Sequence, residues 1–114
     1  MTSPRPLNPT QLHILLTLAD GVRHGYAIKR EIEQRTEGAL RLGPAVLYES
    51  IQRLQVLGLI DHSNMPLDQT DNRLNRRYYR ITDHGLATLR GEVDRLGRVL
   101  AFARTRTRLK GEPT

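Results

Sequence analysis

A single amphipathic helix, predicted within residues 43–60, constrains the fold of this chain more than any other stretch. Its Gly-Pro start ends the preceding segment, and proline suits a first helical position because its φ is preset and its missing N–H has no intrahelical partner there. Leu47, Ile51 and Leu54 recur at the i, i+4, i+7 spacing of one helix face. Gly58 stands where a left-handed C-terminal cap is expected. The stretch therefore predicts a helix, a stop and the start of a strand.

The first predicted helix begins at a capping signal. Asn8 can cap it, Pro9 suits its first position and Gln11 can complete a capping box. The helix is predicted to run to about Ala19, after a flexible arm at residues 1–7.

This helix carries apolar side chains on more than one face. Leu12, Leu15 and Leu16 make one stripe, whereas Ile14 and Leu18 lie on the other side. A helix that is apolar nearly all round is buried on two sides. In a chain of 114 residues we expect the second side to meet another subunit.

A second helix is predicted from the pair His24 and Gly25 to about Arg35. Ile28 and Ile32 mark its inner face, and a following Glu-Gly pair stops it. A short connector separates it from the helix at residues 43–57, as in a helix-turn-helix.

Two strands and a last helix complete the order of elements. The strands are predicted at 59–65 and 76–81, joined by a polar tip as a β-hairpin, and Thr82 can cap a helix running to about Arg108. This order predicts a mainly α fold with a small β-hairpin, a winged helix-turn-helix plus a C-terminal dimerisation helix. The predicted divisions are a flexible arm (1–7), a winged helix-turn-helix DNA-binding domain (8–82), a dimerisation helix (83–108) and a disordered tail (109–114).

The charge balance favours a polyanionic partner. The net charge is +6 and the sequence pI is about 10.5, values that are most often found with nucleic-acid binding. No apolar run approaches the ~18 residues of a membrane span, and the N-terminus has no signal-peptide apolar region. We therefore predict a cytoplasmic protein with no membrane partner.

Catalysis and metal binding find little support in the residues. The chain has no cysteine, and its four histidines include no pair at i, i+3 or i+4. No nucleophile-elbow sequence and no Gly-rich phosphate loop is present. The predictions are therefore no enzyme activity, no metal and no cofactor.

Two groups of residues are candidates for DNA contact. Arg73, Arg76 and Arg77 lie on the predicted hairpin, where arginine forks can bind phosphates; the alternative is an edge strand protected by charge. The first turns of the predicted recognition helix present Ala45, Val46 and Glu49 to base edges; the alternative is a face that meets only water.

The last helix carries a heptad seam. Six apolar residues alternate at spacings of three and four: Leu86, Leu89, Val93, Leu96, Leu100 and Ala103. This pattern favours a dimer interface with the outer side of the first helix as a second contact surface, although the seam could also pack on its own domain. A small-molecule effector would then bind between subunits, lined by Ile14, Leu18, Val93, Leu96 and Phe102.

With these residues in view, the chain resembles the PadR family of bacterial transcriptional regulators. The matching segments are HGY followed by Ile28, LRLGPAVLY at residues 40–48, RLQVLGLI at residues 53–60, and RRYYRIT followed by His84 and Gly85. The single predicted C-terminal helix is similar to that of the smaller PadR subfamily. The hairpin tip has no glycine, unlike that of many members, and the absence of tryptophan excludes the mode in which some members hold flat drugs between tryptophans.

The resemblance implies a dimer that binds inverted-repeat operators and often represses genes. It also implies that Tyr26, Tyr48 and the basic hairpin lie at or near the DNA. The predicted DNA-contacting set is Tyr26, Lys29, Arg41, Ala45, Val46, Tyr48, Glu49, Arg53, Arg73, Arg76 and Arg77. The favoured function is a homodimeric repressor on a pseudo-palindromic double-stranded operator. The alternatives are a winged-helix protein-interaction module without specific DNA binding, and a binder of structured RNA.

Overall fold

The computed structural model describes residues 6–63 and 77–110, and it is mainly helical with a small antiparallel sheet. The elements, in chain order, are α1 (Pro9–Ala19), β1 (Arg23–His24), α2 (Gly25–Arg35), α3 (Pro44–Val56), β2 (Ile60–Ser63), β3 (Tyr78–Ile81), α4 (Asp83–Arg104) and a 3₁₀ turn (Thr107–Lys110). Most of the hairpin tip, with Arg73 and Arg76, lies outside the described residues, as do residues 1–5 of the predicted arm and 111–114 of the predicted tail.

Local capping explains where the helices begin. The predicted capping box of α1 is confirmed: Asn8 Oδ1 accepts from the Gln11 amide at 2.8 Å, and Gln11 Oε1 accepts from the Asn8 amide at 3.1 Å. Thr82 caps α4 by accepting from the Gly85 amide at 2.9 Å, also as predicted. The cap of α2 is His24, whose Nδ1 accepts from the Ala27 amide at 3.1 Å.

The turns that follow the helices use left-handed backbone. Gly58 has φ of 77° and ends α3, which confirms the predicted cap. Glu37 and Gly38 have φ of 53° and 81°, and this pair turns the chain from α2 toward α3. The end of α4 was predicted too late: the helix stops at Arg104, and the 3₁₀ turn includes residues 109 and 110 of the predicted disordered tail.

The sheet contains a strand that the sequence pattern did not predict. Its order is β1-β3-β2, and the two-residue β1 pairs Arg23 with Tyr79 and His24 with Tyr78. The predicted hairpin is present as β2 and β3, and the side chain of Tyr79 is buried while that of Arg80 is exposed. The wing is therefore three-stranded, and β1 joins it directly to the start of α2.

The core lies around α1, which packs against α2, α3, α4 and β3. Ile14 and Leu18 are 0 % and 1 % exposed within this single chain. The prediction that they form an outer face for a second subunit is therefore wrong. Both sides of α1 are covered by elements of its own domain, which explains why the helix is apolar nearly all round.

The first turns of α4 also belong to this core. Leu89 is 6 % exposed and Leu86 is partly buried, because this part of the helix packs against α1 and β3. The predicted seam therefore has two parts. Leu89 packs inside its own domain, whereas Val93, Leu96 and Leu100 are exposed. From Val93 onward nearly every residue of α4 is exposed, so the end of this helix carries an apolar surface that its own domain does not cover.

A polar brace ties α1 to α2 at their exposed edge. Arg35 Nη2 donates to the His13 carbonyl oxygen and to Thr17 Oγ1, both at 3.0 Å. The same guanidinium lies 3.2 Å and 3.3 Å from His13 Nδ1 through its Nη2 and Nε atoms. Burial lowers the pKa of His13, and the positive charge of Arg35 lowers it further.

We expect the free energy of unfolding to fall at acid pH, because His13 takes part in this brace. The pKa of His13 lies below its ordinary 6.5 in the folded chain, so the unfolded chain takes up the proton first. The contribution of His13 is present above pH 6.5 and is lost as the pH falls through the depressed pKa. Urea unfolding at pH 7 and pH 5 should therefore show a larger loss of stability in the wild type than in His13→Asn. An equal loss in both proteins would show that His13 does not titrate with folding.

Candidate nucleic-acid interface

The outward face of α3 is exposed along the length of the helix. Leu47, Ile51 and Leu54 hold the opposite face in the core, so the helix is fixed in rotation. The exposed stripe consists of Ala45, Glu49, Gln52 and Val56, with Val46, Tyr48 and Arg53 on its flanks. The predicted base readers Ala45, Val46 and Glu49 are exposed here, and their contact with DNA stays a prediction.

Sequence reasoning missed Gln52 as a candidate in this stripe. It follows Ala45 and Glu49 at the i, i+4, i+7 spacing, so the same rule that found the buried face could have found it. Gln52 is exposed, and a glutamine amide can pair bidentately with adenine in the major groove. Of the four side chains on the stripe, Gln52 is the one that offers both a hydrogen-bond donor and an acceptor.

The N-terminus of α3 presents backbone donors to solvent. The N-cap is Gly43, which has no side chain to accept from the first amides, and the first turn contains no acidic residue. The first amides of a helix lack intrahelical acceptors and carry the positive end of the helix dipole. With exposed Arg41 just before it, this end of α3 is suited to a phosphate.

On one flank, Tyr48 rests on the start of α2. A Cβ atom added to Gly25 would lie 2.6 Å from Tyr48 Oη and 3.0 Å from its ring, so the glycine makes room for the tyrosine. Tyr26 is exposed beside it, with the Arg30 guanidinium 5.8 Å from its ring centroid. The His-Gly-Tyr segment thus builds a small aromatic surface next to α3.

We expect Gly25→Ala to lower DNA affinity with little loss of stability. The added methyl group meets the end of a half-exposed tyrosine side chain, which can swing away without opening the core. Loss of a hydrogen bond from Tyr48 to a charged phosphate should cost about 1.5–3 kcal/mol of binding free energy. A fluorescence anisotropy titration measures this cost, and a thermal melt confirms that folding is retained. Unchanged DNA affinity would show that the position of Tyr48 does not matter for binding.

The basic residues on and after α2 differ in whether a carboxylate already pairs with their charge. Lys29 Nζ lies 2.9 Å from Glu33 Oε2, and this hydrogen bond lowers the pKa of Glu33. Lys29, predicted as a DNA contact, therefore shares its charge with a carboxylate. Arg30 on α2 is exposed and is a candidate that sequence reasoning missed. Arg41, in the connector before α3, is exposed too, although its charge also helps to lower the pKa of Glu33.

Two arginines at the β2–β3 pair differ in their surroundings. Arg77 is exposed immediately before β3, whereas Arg80 lies 3.5 Å from Asp61 across the β2–β3 pair. The predicted contacts of Arg73 and Arg76 fall on residues that the structure does not describe. Arg77 is therefore the wing residue on which the phosphate-binding prediction can be tested.

Arg53 lies on the side of the α3 stripe opposite to Tyr48. It is exposed on the last turns of α3, near the cap of α1 and the first turn of α4. Arg53 makes no ion pair with any residue in the ranges 6–63 and 77–110. Its charge is free for an anion.

The part of the chain that the structure describes has neither a metal-binding cluster nor a membrane-spanning helix. Within residues 6–63 and 77–110, no three His, Asp or Glu side chains are grouped so that they could hold a metal ion. Over those residues, no helix combines the length and apolar character needed to cross a membrane.

Three helices, a three-stranded wing and an exposed face on the third helix define a winged helix-turn-helix protein. The chain belongs to the PadR-like family of transcriptional regulators, whose family profile matches residues 14–91. The resemblance carried by the sequence motifs and the predicted fold class are both confirmed.

Solved structures agree with this assignment. A transcriptional regulator from Clostridium thermocellum superposes with a TM-score of 0.69 at 23 % identity, covering 86 % of this chain and 89 % of that one. RosR of H. salinarum gives a TM-score of 0.64 at 27 % identity, covering 96 % and 88 % of the two chains. The first likeness establishes the fold alone.

Two curated proteins are similar in sequence. An uncharacterized 37.1 kDa protein in transposon TN4556 of Streptomyces fradiae is 35 % identical over 92 residues, which are 81 % of this chain and 24 % of that protein. An uncharacterized protein X of Lysinibacillus sphaericus is 37 % identical over 76 residues, 67 % of each protein. The chain thus spans about a quarter of the length of the first relative.

Proposed function

We propose that this protein is a homodimeric repressor that binds a pseudo-palindromic DNA operator in the cytoplasm. The observation that carries the proposal is the exposed stripe of α3, which begins at a free helix N-terminus. Basic residues lie on both sides of this stripe, and the whole chain has a net charge of +6. Membership of a family of transcriptional regulators supports the same role.

In the proposed complex α3 enters the major groove. Gln52 can pair with adenine, Glu49 can accept from the cytosine amino group, and Ala45 with Val46 can meet thymine methyl groups. Arg41 and Arg77 would bind the flanking phosphates and set the position of the helix. This division makes the α3 stripe responsible for sequence preference and the arginines responsible for general affinity.

The proposed dimer rests on the exposed end of α4. Val93, Leu96 and Leu100 keep the heptad spacing, and they are joined by Val99 and Phe102, the latter 62 % exposed. These five side chains cover nearly half of the helix circumference, which is wider than a two-helix seam. A second copy of α4 would bury this surface, and a two-fold axis would place the two α3 helices about 34 Å apart, one turn of DNA.

The rival functions make different predictions for the same surfaces. A protein-interaction module would show no salt-dependent DNA binding, and its wing would meet an acidic protein instead. A binder of structured RNA would prefer RNA to duplex DNA in competition. The exposed Gln52 and Glu49 favour DNA, because side chains can read base edges in the wide major groove of a DNA duplex but not in the narrow one of RNA.

Arg77→Ala tests the proposal through the salt dependence of binding. The exposed guanidinium should neutralise one phosphate, so its loss should weaken all DNA sequences alike and reduce the salt slope by about one unit. Footprinting on genomic DNA first supplies the operator, and titrations at several salt concentrations then give the slope. Arg90→Ala, which removes an exposed arginine from α4, is the matched control and should leave the slope unchanged. If footprinting finds no preferred site and the wild type shows no salt slope, the protein is not a DNA-binding regulator.

A further inference from the structure

The positive charge of this chain is concentrated near its C-terminal end. Residues 1–94 contain 12 basic and 11 acidic side chains, so this part of the chain is almost neutral. Residues 95–110 contain six basic side chains and no acidic one. The basic character of the protein therefore comes from the second half of α4 and the 3₁₀ turn that follows it, and not from the helix-turn-helix and the wing.

Four of these basic side chains are exposed arginines without a carboxylate partner. They form the C-terminal arginine cluster, which consists of Arg98, Arg104, Arg106 and Arg108. None of them makes an ion pair with a residue in the ranges 6–63 and 77–110, whereas Arg95 pairs with Glu92 at 2.7 Å. The negative end of the helix dipole can account for Arg104 in the last turn of α4, but its effect does not reach back to Arg98. A group of uncompensated charges of one sign is suited to a polyanion.

One member of the cluster is held in place by its neighbours. The Arg106 guanidinium lies over the Phe102 ring, 4.4 Å from its centroid. Its Nε and Nη2 atoms donate to Thr105 Oγ1 at 3.2 Å and 3.1 Å, and that hydroxyl donates to the Phe102 carbonyl oxygen at 2.7 Å. Because this side chain is already ordered, less entropy is lost when its remaining N–H groups bind an anion.

The cluster is separate from the exposed stripe of α3. Helix α4 starts beside the end of α3, where Thr82 Oγ1 donates to the Gly58 carbonyl oxygen at 2.7 Å. A helix of 22 residues is about 33 Å long, so Arg104 lies about 30 Å from that contact. Arg98 follows Leu96 by two residues, which turn the helix by about 200°, and it therefore lies on nearly the opposite side of α4. A dimer formed through the apolar face of α4 leaves Arg98 open to a further partner.

We propose that the C-terminal arginine cluster is a second DNA-binding surface, which holds the phosphates of a duplex without regard to sequence. The choice of duplex DNA as the partner rests on the proposed function. Guanidinium groups bind phosphate oxygens through two parallel hydrogen bonds, and contacts of this kind give affinity but carry no sequence information. An anionic membrane surface would need the apolar face of α4 as well as the arginines, and the proposed dimer buries that face.

The test compares salt slopes on DNA of scrambled sequence. A fluorescently labelled duplex is titrated by anisotropy at several salt concentrations, with wild type and with a variant that carries Arg98→Gln, Arg104→Gln, Arg106→Gln and Arg108→Gln. The slope should fall by at least about three units in the glutamine variant, since each phosphate contact contributes about 0.9. The affinity for the scrambled duplex at low salt should fall about tenfold or more.

Lysine at the same four positions is the matched control. It keeps every charge, so the lysine variant should keep the salt slope of the wild type. All four side chains are exposed, and circular dichroism confirms that both variants are folded. Equal slopes for the wild type and the glutamine variant would overturn the proposal, and so would tighter binding of the wild type to phosphatidylserine vesicles than to the duplex. A lysine variant that loses the slope as well would show that the arginines do not act through their charge.

The proposed function is tested separately, on the operator. The ratio of operator affinity to scrambled-duplex affinity should be the same in the wild type and the glutamine variant, because the cluster reads no base edges. If footprinting finds no operator and the glutamine variant still loses its slope on scrambled DNA, the proposed repressor function fails and this surface stands. If the operator is preferred and the slopes of wild type and glutamine variant are equal, the proposed function stands and the second surface is disproved.

Discussion

The Leu96→Glu variant is expected to be a monomer at micromolar concentration and to lose high-affinity operator binding. Leu96 is 36 % exposed in the single chain and lies between Val93 and Leu100 on the apolar face of α4. In a two-fold dimer, a glutamate here would bring two carboxylates toward each other in an apolar seam, at a cost of several kcal/mol. Since each 1.4 kcal/mol is a factor of ten in an equilibrium constant, the dimer should dissociate.

Sedimentation velocity and an operator titration measure this result together. Weak salt-dependent DNA binding should survive, because the monomer keeps the exposed Arg41 and Arg77. Ala101→Glu is the matched control: it adds the same charge to an exposed position on the other side of α4 and should remain dimeric. A dimeric Leu96→Glu protein would show that the subunits meet elsewhere.

Helix ends were predictable because their signals are local. The capping box of Asn8 and Gln11, the cap at Thr82 and the left-handed Gly58 depend on neighbouring residues only, and all three are confirmed. The strand β1 was missed for the opposite reason. Arg23 and His24 form a strand because β3 lies beside them, and two residues cannot show the alternation that marks a strand.

The periodicity of apolar residues could not predict which element or subunit covers each apolar surface. The pattern around Ile14 and Leu18 correctly indicated a helix buried on two sides, but not that α4 and β3 of the same chain cover it. The seam of α4 has the same ambiguity, since Leu89 and Leu96 keep one spacing although the first packs inside the domain and the second is exposed. Tertiary contacts decide such cases, and the sequence pattern is the same for both.

The candidate site was predictable in part. The exposed positions of Ala45, Val46 and Glu49 follow from the helix period once the buried face is known. The surroundings of Arg53 do not follow from the helix period, because they come from three segments that are distant in sequence, 6–11, 53–59 and 84–88. The ion pair of Lys29 with Glu33 follows the i, i+4 rule and could have been inferred from the sequence.

Gly85→Ala should strongly destabilise the fold, although the same change usually stabilises a helix. Alanine is favoured over glycine by about 1 kcal/mol in a helix interior. At Gly85, however, an added Cβ would overlap the carbonyl oxygen of Leu59 and lie 2.7 Å from Ile81 Cγ1. The carbonyl cannot easily move, because it accepts from the Thr82 amide at 3.0 Å and the Leu59 amide donates to Leu54 at 3.0 Å.

The expected cost of Gly85→Ala is about 1–3 kcal/mol or more, the range for forcing extra carbon into a packed core. Urea unfolding followed by circular dichroism measures it. Gly91→Ala is the matched control on the same helix, since a Cβ there meets nothing within 4 Å, and it should stabilise the protein by up to about 1 kcal/mol. The two substitutions are chemically identical and lie six residues apart on α4. Opposite changes in the free energy of unfolding would therefore show that the close contact with Leu59 and Ile81 is confined to the first turn of α4. A neutral or stabilising Gly85→Ala would mean that the first turn of α4 does not pack directly on the Leu59 carbonyl.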